Sequence, residues 1–172
     1  MSEDYFKRVD LLKLYRPLAA KVQRLQAALL AAGAAFWATS GFRSLDEQAQ
    51  LYALGRTVPN HDASPQKPMG STVTNAKPGQ SYHNWGLALD FTADSSPEPG
   101  LQPTWTPQAY DLLVKMAPQF GLEAGGSWVS FKDLPHVQLP LARVGLSLAD
   151  VQRAHAKGGY PAVWALLDKY NW

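Results

Sequence analysis

No cysteine occurs among the 172 residues. Disulfides, thiolate metal sites and a cysteine nucleophile are excluded, and any metal must be held by histidine, aspartate or glutamate. An excess of one charge is also missing: 16 Lys and Arg stand against 14 Asp and Glu, a formal net charge of +2. A nucleic-acid binder usually carries a clustered basic excess, so no nucleic-acid partner is expected. The longest apolar run, Ala27 to Ala38, falls short of the roughly 18–20 residues of a membrane span. The start, Met1-Ser2-Glu3-Asp4, lacks the basic opening of a signal peptide. These absences predict a protein made soluble in a cytoplasm, with no stable membrane anchor. A substrate outside would be reached only with another system's help. With 46% hydrophobic and 17% charged residues, a packed core is expected rather than disorder. The length is that of one ordinary domain.

Leu11, Leu14, Tyr15, Leu18, Val22, Leu25 and Leu29 recur at helical spacing. Pro17 suits the first turn of a helix running to about Ala32, and Gly33 suits its stop. Phe36 to Ser40 reads as a short strand. Ser44-Leu45-Asp46-Glu47 is a capping box opening a helix to about Leu54. Gly55 to Asn84 reads as a long loop, Gly86 to Thr92 as a strand, and Ser95 to Pro103 as a second loop. Thr106-Pro107 is expected to cap a helix to about Phe120, distorted by Pro118 and ended by Gly121. Short strands are expected near Leu122–Glu123 and Val137–Leu139. Ser147 and Pro161 open two last helices separated by Gly158-Gly159. The pattern predicts one α+β domain over 1–172, a small antiparallel sheet flanked by helices.

Four histidines are present, and two sit in unusual company. His83 precedes Gly86-Leu87-Ala88-Leu89-Asp90, where strand alternation sets Gly86, Ala88 and Asp90 on one face. That face has a carboxylate at its end and almost no bulk before it. His136 alternates with Gln138 against Val137 and Leu139. Two neighbouring strands could thus bring His83, Asp90 and His136 to one point, leaving a fourth position open on zinc. Asp133 would stand beside it, free to move a proton. The plainer reading is a buried histidine bonded to backbone and an aspartate capping a turn; spacing alone leaves both open. No Gly-x-Ser-x-Gly elbow occurs. Glu123 and Asp133 are only nominal candidates for a glycosidase pair.

Ser-x-His-x-x-Gly-x-Ala-x-Asp at 81–90, followed by Asp-x-x-His at 133–136, resembles the zinc peptidases of the D-alanyl-D-alanine carboxypeptidase and L-alanyl-D-glutamate endopeptidase group (peptidase family M15). It is most similar to the L-alanyl-D-glutamate endopeptidases of bacteriophage endolysins. Gly41-Phe42-Arg43-Ser44 with Gln48 and Leu51-Tyr52, Gly55-Arg56-Thr57, Val73-Thr74-Asn75-Ala76, Gly79-Gln80-Ser81 and Gly125-Gly126-Ser127-Trp128 agree with it. The resemblance covers about residues 8–140, a catalytic core, and leaves a helical segment from about 141 to 172 to periodicity alone. It implies one zinc held by His83, Asp90 and His136 in the sheet, Asp133 as catalytic base, and Arg43 steadying the oxyanion. Gln48, Ser81 and Trp128 are implied as substrate-binding. Ser127 and Ala124 depart from the acidic and aromatic residues often found there.

The resemblance implies an endopeptidase cutting the peptidoglycan stem between L-alanine and D-glutamate. It further implies a lysin waiting in the host cytoplasm for a holin-like release partner before reaching the cell wall. Two alternatives stand beside it: a D-alanyl-D-alanine carboxypeptidase, and a wall-binding module with a vestigial zinc site, against which the retained Asp133 argues. His61 reads as an exposed loop residue and His155 as a partner of its helix's negative end. Trp164 and Trp172 read as packing residues.

Overall fold

The computed structural model describes residues 4–96 and 100–172. Met1 to Glu3, and positions 97–99 of the expected second loop, lie outside the described residues. Helix α1 spans Arg16–Ala31 with Pro17 in its first turn. It buries Leu18, Val22, Leu25 and Leu29, a stripe at spacings of four, three and four that faces the sheet core. Strand β1 is Phe36–Ser40. Helix α2, Leu45–Ala53, opens with the expected capping box: Glu47 N donates to Ser44 Oγ at 3.1 Å and Ser44 N to Glu47 Oε2 at 2.7 Å.

The remaining strands are β2 (Ala88–Asp94), β3 (Pro103–Thr104), β4 (Glu123–Ala124) and β5 (His136–Gln138). They form one antiparallel sheet in the order β1-β2-β5-β4, with β3 on the far end of β2. The central strand buries Leu89 and Phe91 on the core side, beside Phe36, Val137 and Leu139. A bulge at Thr39 lets Ser40 sit opposite Asp90 although Ala38 already pairs with Phe91. The extra residue bends the end of β1, where Ser40 meets Arg43.

Four expectations need correction. The strand expected from Gly86 begins at Ala88, because Gly86 adopts φ 69° and closes a 3-10 turn over Tyr82–Trp85. Its Cβ would stand 2.8 Å from Lys13 O, so the 3-10 turn Leu11–Lys13 presses on it. The helix expected from Thr106 divides into a 3-10 turn, the short helix α3 (Asp111–Met116) and another 3-10 turn over Ala117–Phe120. Pro118 lacks the N–H that a continuing helix needs. The short strands fall one residue from their expected places. The loop 55–81 also has internal order: Asp62 accepts from Ser71 N at 2.8 Å and Ser71 Oγ at 2.6 Å.

Helix α4, Leu148–Leu167, is two helical halves broken at Gly158 and Gly159, as expected. It packs behind the site. Gln152 Nε2 donates to Gly79 O at 2.9 Å, and Tyr160 meets Phe42 edge-on at 5.3 Å. Trp164 and Trp172 pack beside Tyr15. Among the described residues, no helix is long and apolar enough to cross a membrane.

Candidate active site

Asp90 and His136 are direct partners across β2 and β5, so antiparallel pairing sets their side chains side by side on one face. His136 Nδ1 lies 3.2 Å from Asp90 Oδ1. His83 reaches the same oxygen from the 3-10 turn before β2, with Nε2 also at 3.2 Å. Atoms of all three lie within 4.8 Å of one another.

The outer nitrogens of both rings meet acceptors. His83 Nδ1 donates to Gly41 O at 2.7 Å. His136 Nε2 lies 2.9 Å from Gln138 Oε1 and donates to it. Protons held outside leave lone pairs facing inward. Two imidazole nitrogens and a carboxylate oxygen thus converge as three acceptors, an arrangement that calls for a cation. A tetrahedral ion with bonds of about 2.0–2.1 Å sets its ligands about 3.3 Å apart, close to the two measured contacts. The residues present therefore fit zinc.

The same contacts also shift the proton affinities of these groups. Burial pushes the Asp90 carboxyl up, but His83 and His136 outweigh it and hold the group well below the usual carboxylate range. Burial lowers the His136 imidazole, yet contact with Asp90 leaves it raised. Asp133 is raised, first by burial and then by the Asp90 charge, against the opposing pull of His136, His83 and Arg43. Asp133 sits in the turn before β5, where His136 N donates to Asp133 O at 3.2 Å. That turn lies on Gly125, whose Cβ would come within 2.5 Å of Asp133 O. Only glycine lets the backbone of the Asp133 turn approach this closely.

Arg43 Nη1 donates to Gln48 Oε1 at 3.0 Å and Nη2 to Ser40 Oγ at 3.2 Å. A guanidinium has five N–H donors, so three remain for a ligand. Gln48 is fully buried and donates to Ala76 O at 2.8 Å. It is not among the residues lining the cleft and lies behind Arg43, accepting from its guanidinium. Ser81 and Trp128 do line the cleft, which encloses about 440 Å³. Ser81 Oγ also caps the His83 turn, accepting from His83 N at 3.3 Å. His61 stays exposed in its loop beside Asn60. His155 packs edge-on against Trp85 and Tyr160, and neither of these two histidines joins the site.

Sequence reading passed over Asn84 and gave Glu123 only a nominal role. Asn84 is fully buried. It donates to Arg43 O at 3.0 Å and accepts from Gly79 N at 3.0 Å, tying α2 to the His83 turn. Its place inside the 81–90 motif was the available signal. Glu123 binds Gln138 and Trp128, and only strand pairing reveals that connection.

The cleft thus gathers two imidazoles, two carboxylates and a guanidinium, with three of these groups placed to hold a metal ion. The chain belongs to the VanY D-alanyl-D-alanine carboxypeptidase family, whose model matches residues 12–128. That match includes Arg43, His83, Asp90 and Trp128 and stops before Asp133 and His136, which the fold brings to them. The chain is 37% identical over 111 residues to the peptidoglycan L-alanyl-D-glutamate endopeptidase CwlK of Bacillus subtilis (strain 168), covering 59% of this chain and 58% of that protein. The chain thus spans little more than half the length of this curated relative. The structure resembles the L-Ala D-Glu endopeptidase ChiX of Serratia marcescens, with 26% identity and a TM-score of 0.52 over 79% of this chain and 87% of that one. It also resembles the vancomycin-resistance D,D-pentapeptidase VanY of a VanB-type cassette, solved with Zn(II), at 20% identity and a TM-score of 0.53 over 77% of this chain and 80% of that one.

Proposed function

We propose that this chain is a zinc endopeptidase that hydrolyses the L-alanyl-D-glutamate bond of the peptidoglycan stem. The observation that carries the reading is the convergence of His83, Asp90 and His136 on one point, with Asp133 and Arg43 beside it. Zinc, when bound there, lowers the pKa of a water towards roughly 7 and polarises the scissile carbonyl. Asp133 takes the proton of the attacking water and later delivers it to the leaving amine. Its raised pKa suits that return of the proton. Arg43 donates to the carbonyl oxygen as it gains charge.

The cleft wall favours an endopeptidase over a carboxypeptidase. Among the described residues lining it, Arg43 is the one lysine or arginine. If Arg43 serves the oxyanion, the wall has no second cation for a free terminal carboxylate. The identity to an L-alanyl-D-glutamate endopeptidase supports the same choice. Digested wall is expected to yield stem peptides with a new N-terminal D-glutamate and L-alanine left on the muramic acid. Mass spectrometry of the fragments reads this directly, and free D-alanine as the main product would give the carboxypeptidase reading instead.

Arg43→Ala is expected to fold and keep zinc while turnover falls about 10²- to 10³-fold, the usual cost of one oxyanion donor. Arg43→Lys should recover only part, because a point charge does not reproduce a planar fork. Near-normal turnover in Arg43→Ala would make the residue purely structural.

The motifs shared with phage endolysins support a lytic role, with the protein held in the host cytoplasm until a holin-like pore opens. Expression with and without such a pore tests this: lysis should require the pore.

A further inference from the structure

Behind His136 runs a chain of hydrogen bonds that the proposed reaction does not use. Gln138 Oε1 lies 2.9 Å from His136 Nε2, Gln138 Nε2 donates to Glu123 Oε2 at 3.2 Å, and Trp128 Nε1 donates to Glu123 Oε1 at 2.5 Å. Sheet register builds it. Gln138 is two residues from His136 on the same face of β5. It pairs with Ala88 on one side and Glu123 on the other. The small Ala88 leaves the amide room, and both His136 and Gln138 are buried.

The polarity of this chain follows from what each group can do. An amide can turn either its oxygen or its NH₂ towards a histidine. A carboxylate only accepts, so Glu123 holds the NH₂ end of Gln138 and turns its oxygen to His136. That oxygen is satisfied only by an N–H on Nε2. Nδ1 is then left with its lone pair towards Asp90 and the metal position. Trp128, a donor only, occupies the other carboxylate oxygen. His83 needs no such device, because its outer nitrogen meets a backbone carbonyl that cannot turn.

We propose that Glu123, acting through Gln138, is a positioning residue that keeps the His136 proton on Nε2 and so presents Nδ1 to the metal. The inference rests on the zinc reading above. Outer-shell partners of this kind are typically worth about 10- to 100-fold in metal affinity.

Glu123→Gln tests it with almost no change of shape. The Trp128 N–H must then take the oxygen of the new amide, whose NH₂ faces Gln138. Gln138 turns its oxygen to that NH₂ and its own NH₂ to His136, reversing the chain and drawing the ring proton to Nδ1. Zinc affinity, measured by competition with a chromophoric chelator, is expected to fall 10- to 100-fold. In cobalt-substituted protein, the hyperfine-shifted N–H signal of His136 should be lost or exchange rapidly, while that of His83 stays. The double variant Glu123→Gln/Gln138→Glu moves the carboxylate beside His136, with the new amide accepting from Trp128 and donating to it. It should return both readouts to within a few-fold of the parent. Parental zinc affinity and an unchanged His136 signal in Glu123→Gln would overturn the relay. So would a folded double variant with no recovery. If the parent itself binds no zinc, the metal reading falls and the relay with it; if the parent binds and the variants bind equally, the relay alone falls.

Discussion

Purified His83→Ala and His136→Ala proteins are each expected to lack stoichiometric zinc and to show only background hydrolysis, whereas His61→Ala and His155→Ala keep both. The parent should carry about one zinc per chain, since three ligands and an open position are the usual catalytic arrangement. Two ligands would remain in each site variant, too few to hold the ion through purification. Folding is expected to survive. His83→Ala leaves the Gly41 carbonyl without its partner, at a cost of about 1–3 kcal/mol, against a typical domain stability of about 5–15 kcal/mol. Circular dichroism beside metal analysis separates loss of zinc from loss of fold. Full occupancy in a folded His136→Ala protein would rule out this ligand set.

Much of the site's frame is local, and local features were legible. Phe36–Ser40 and the start of α2 follow from strand alternation and a capping box, each decided within a few residues. The Gly158-Gly159 break in α4 follows from glycine alone. The alternation of Ala88 with Asp90, and of His136 with Gln138, indicated which faces carry chemistry. It did not determine that β2 and β5 are neighbours with Asp90 opposite His136. Pairing across more than forty residues depends on the whole core, and here the family resemblance supplied what periodicity lacked.

What remained hidden depends on tertiary contact. Gly86 reads as a strand residue until Lys13 O is seen against it. The bulge at Thr39 has no sequence signature, yet it brings Ser40 to Arg43. Gln48 looks like a solvated helix residue or a substrate contact, and becomes a support for Arg43 only once the loop carbonyl of Ala76 closes over it. Glu123 attracted attention as a carboxylate for the wrong chemistry. Its partners Gln138 and Trp128 come from another strand and from the turn after β4.

Asp133→Asn is expected to keep the fold and zinc while losing at least the roughly 10²- to 10⁴-fold in turnover typical of a general base. The two carboxylates of the site are held differently, and that difference sets the test. Asp90 lies within β2, paired across the sheet with His136, and its Oδ1 meets both imidazoles at 3.2 Å. A ligand needs such a fixed approach. Asp133 lies in a turn stiffened by Pro135 and pressed onto Gly125, in the cleft wall and outside the cluster of three. Its raised pKa fits a group that accepts a proton and gives it back. Asparagine matches the size of aspartate and keeps hydrogen bonding, but its amide oxygen does not take a proton at neutral pH. Asp90→Asn should instead weaken zinc binding itself, with activity partly restored by added zinc. Metal content measured beside turnover in both variants decides the assignment. An Asp133→Asn protein that loses its metal, beside an Asp90→Asn protein that keeps it, would exchange the two roles.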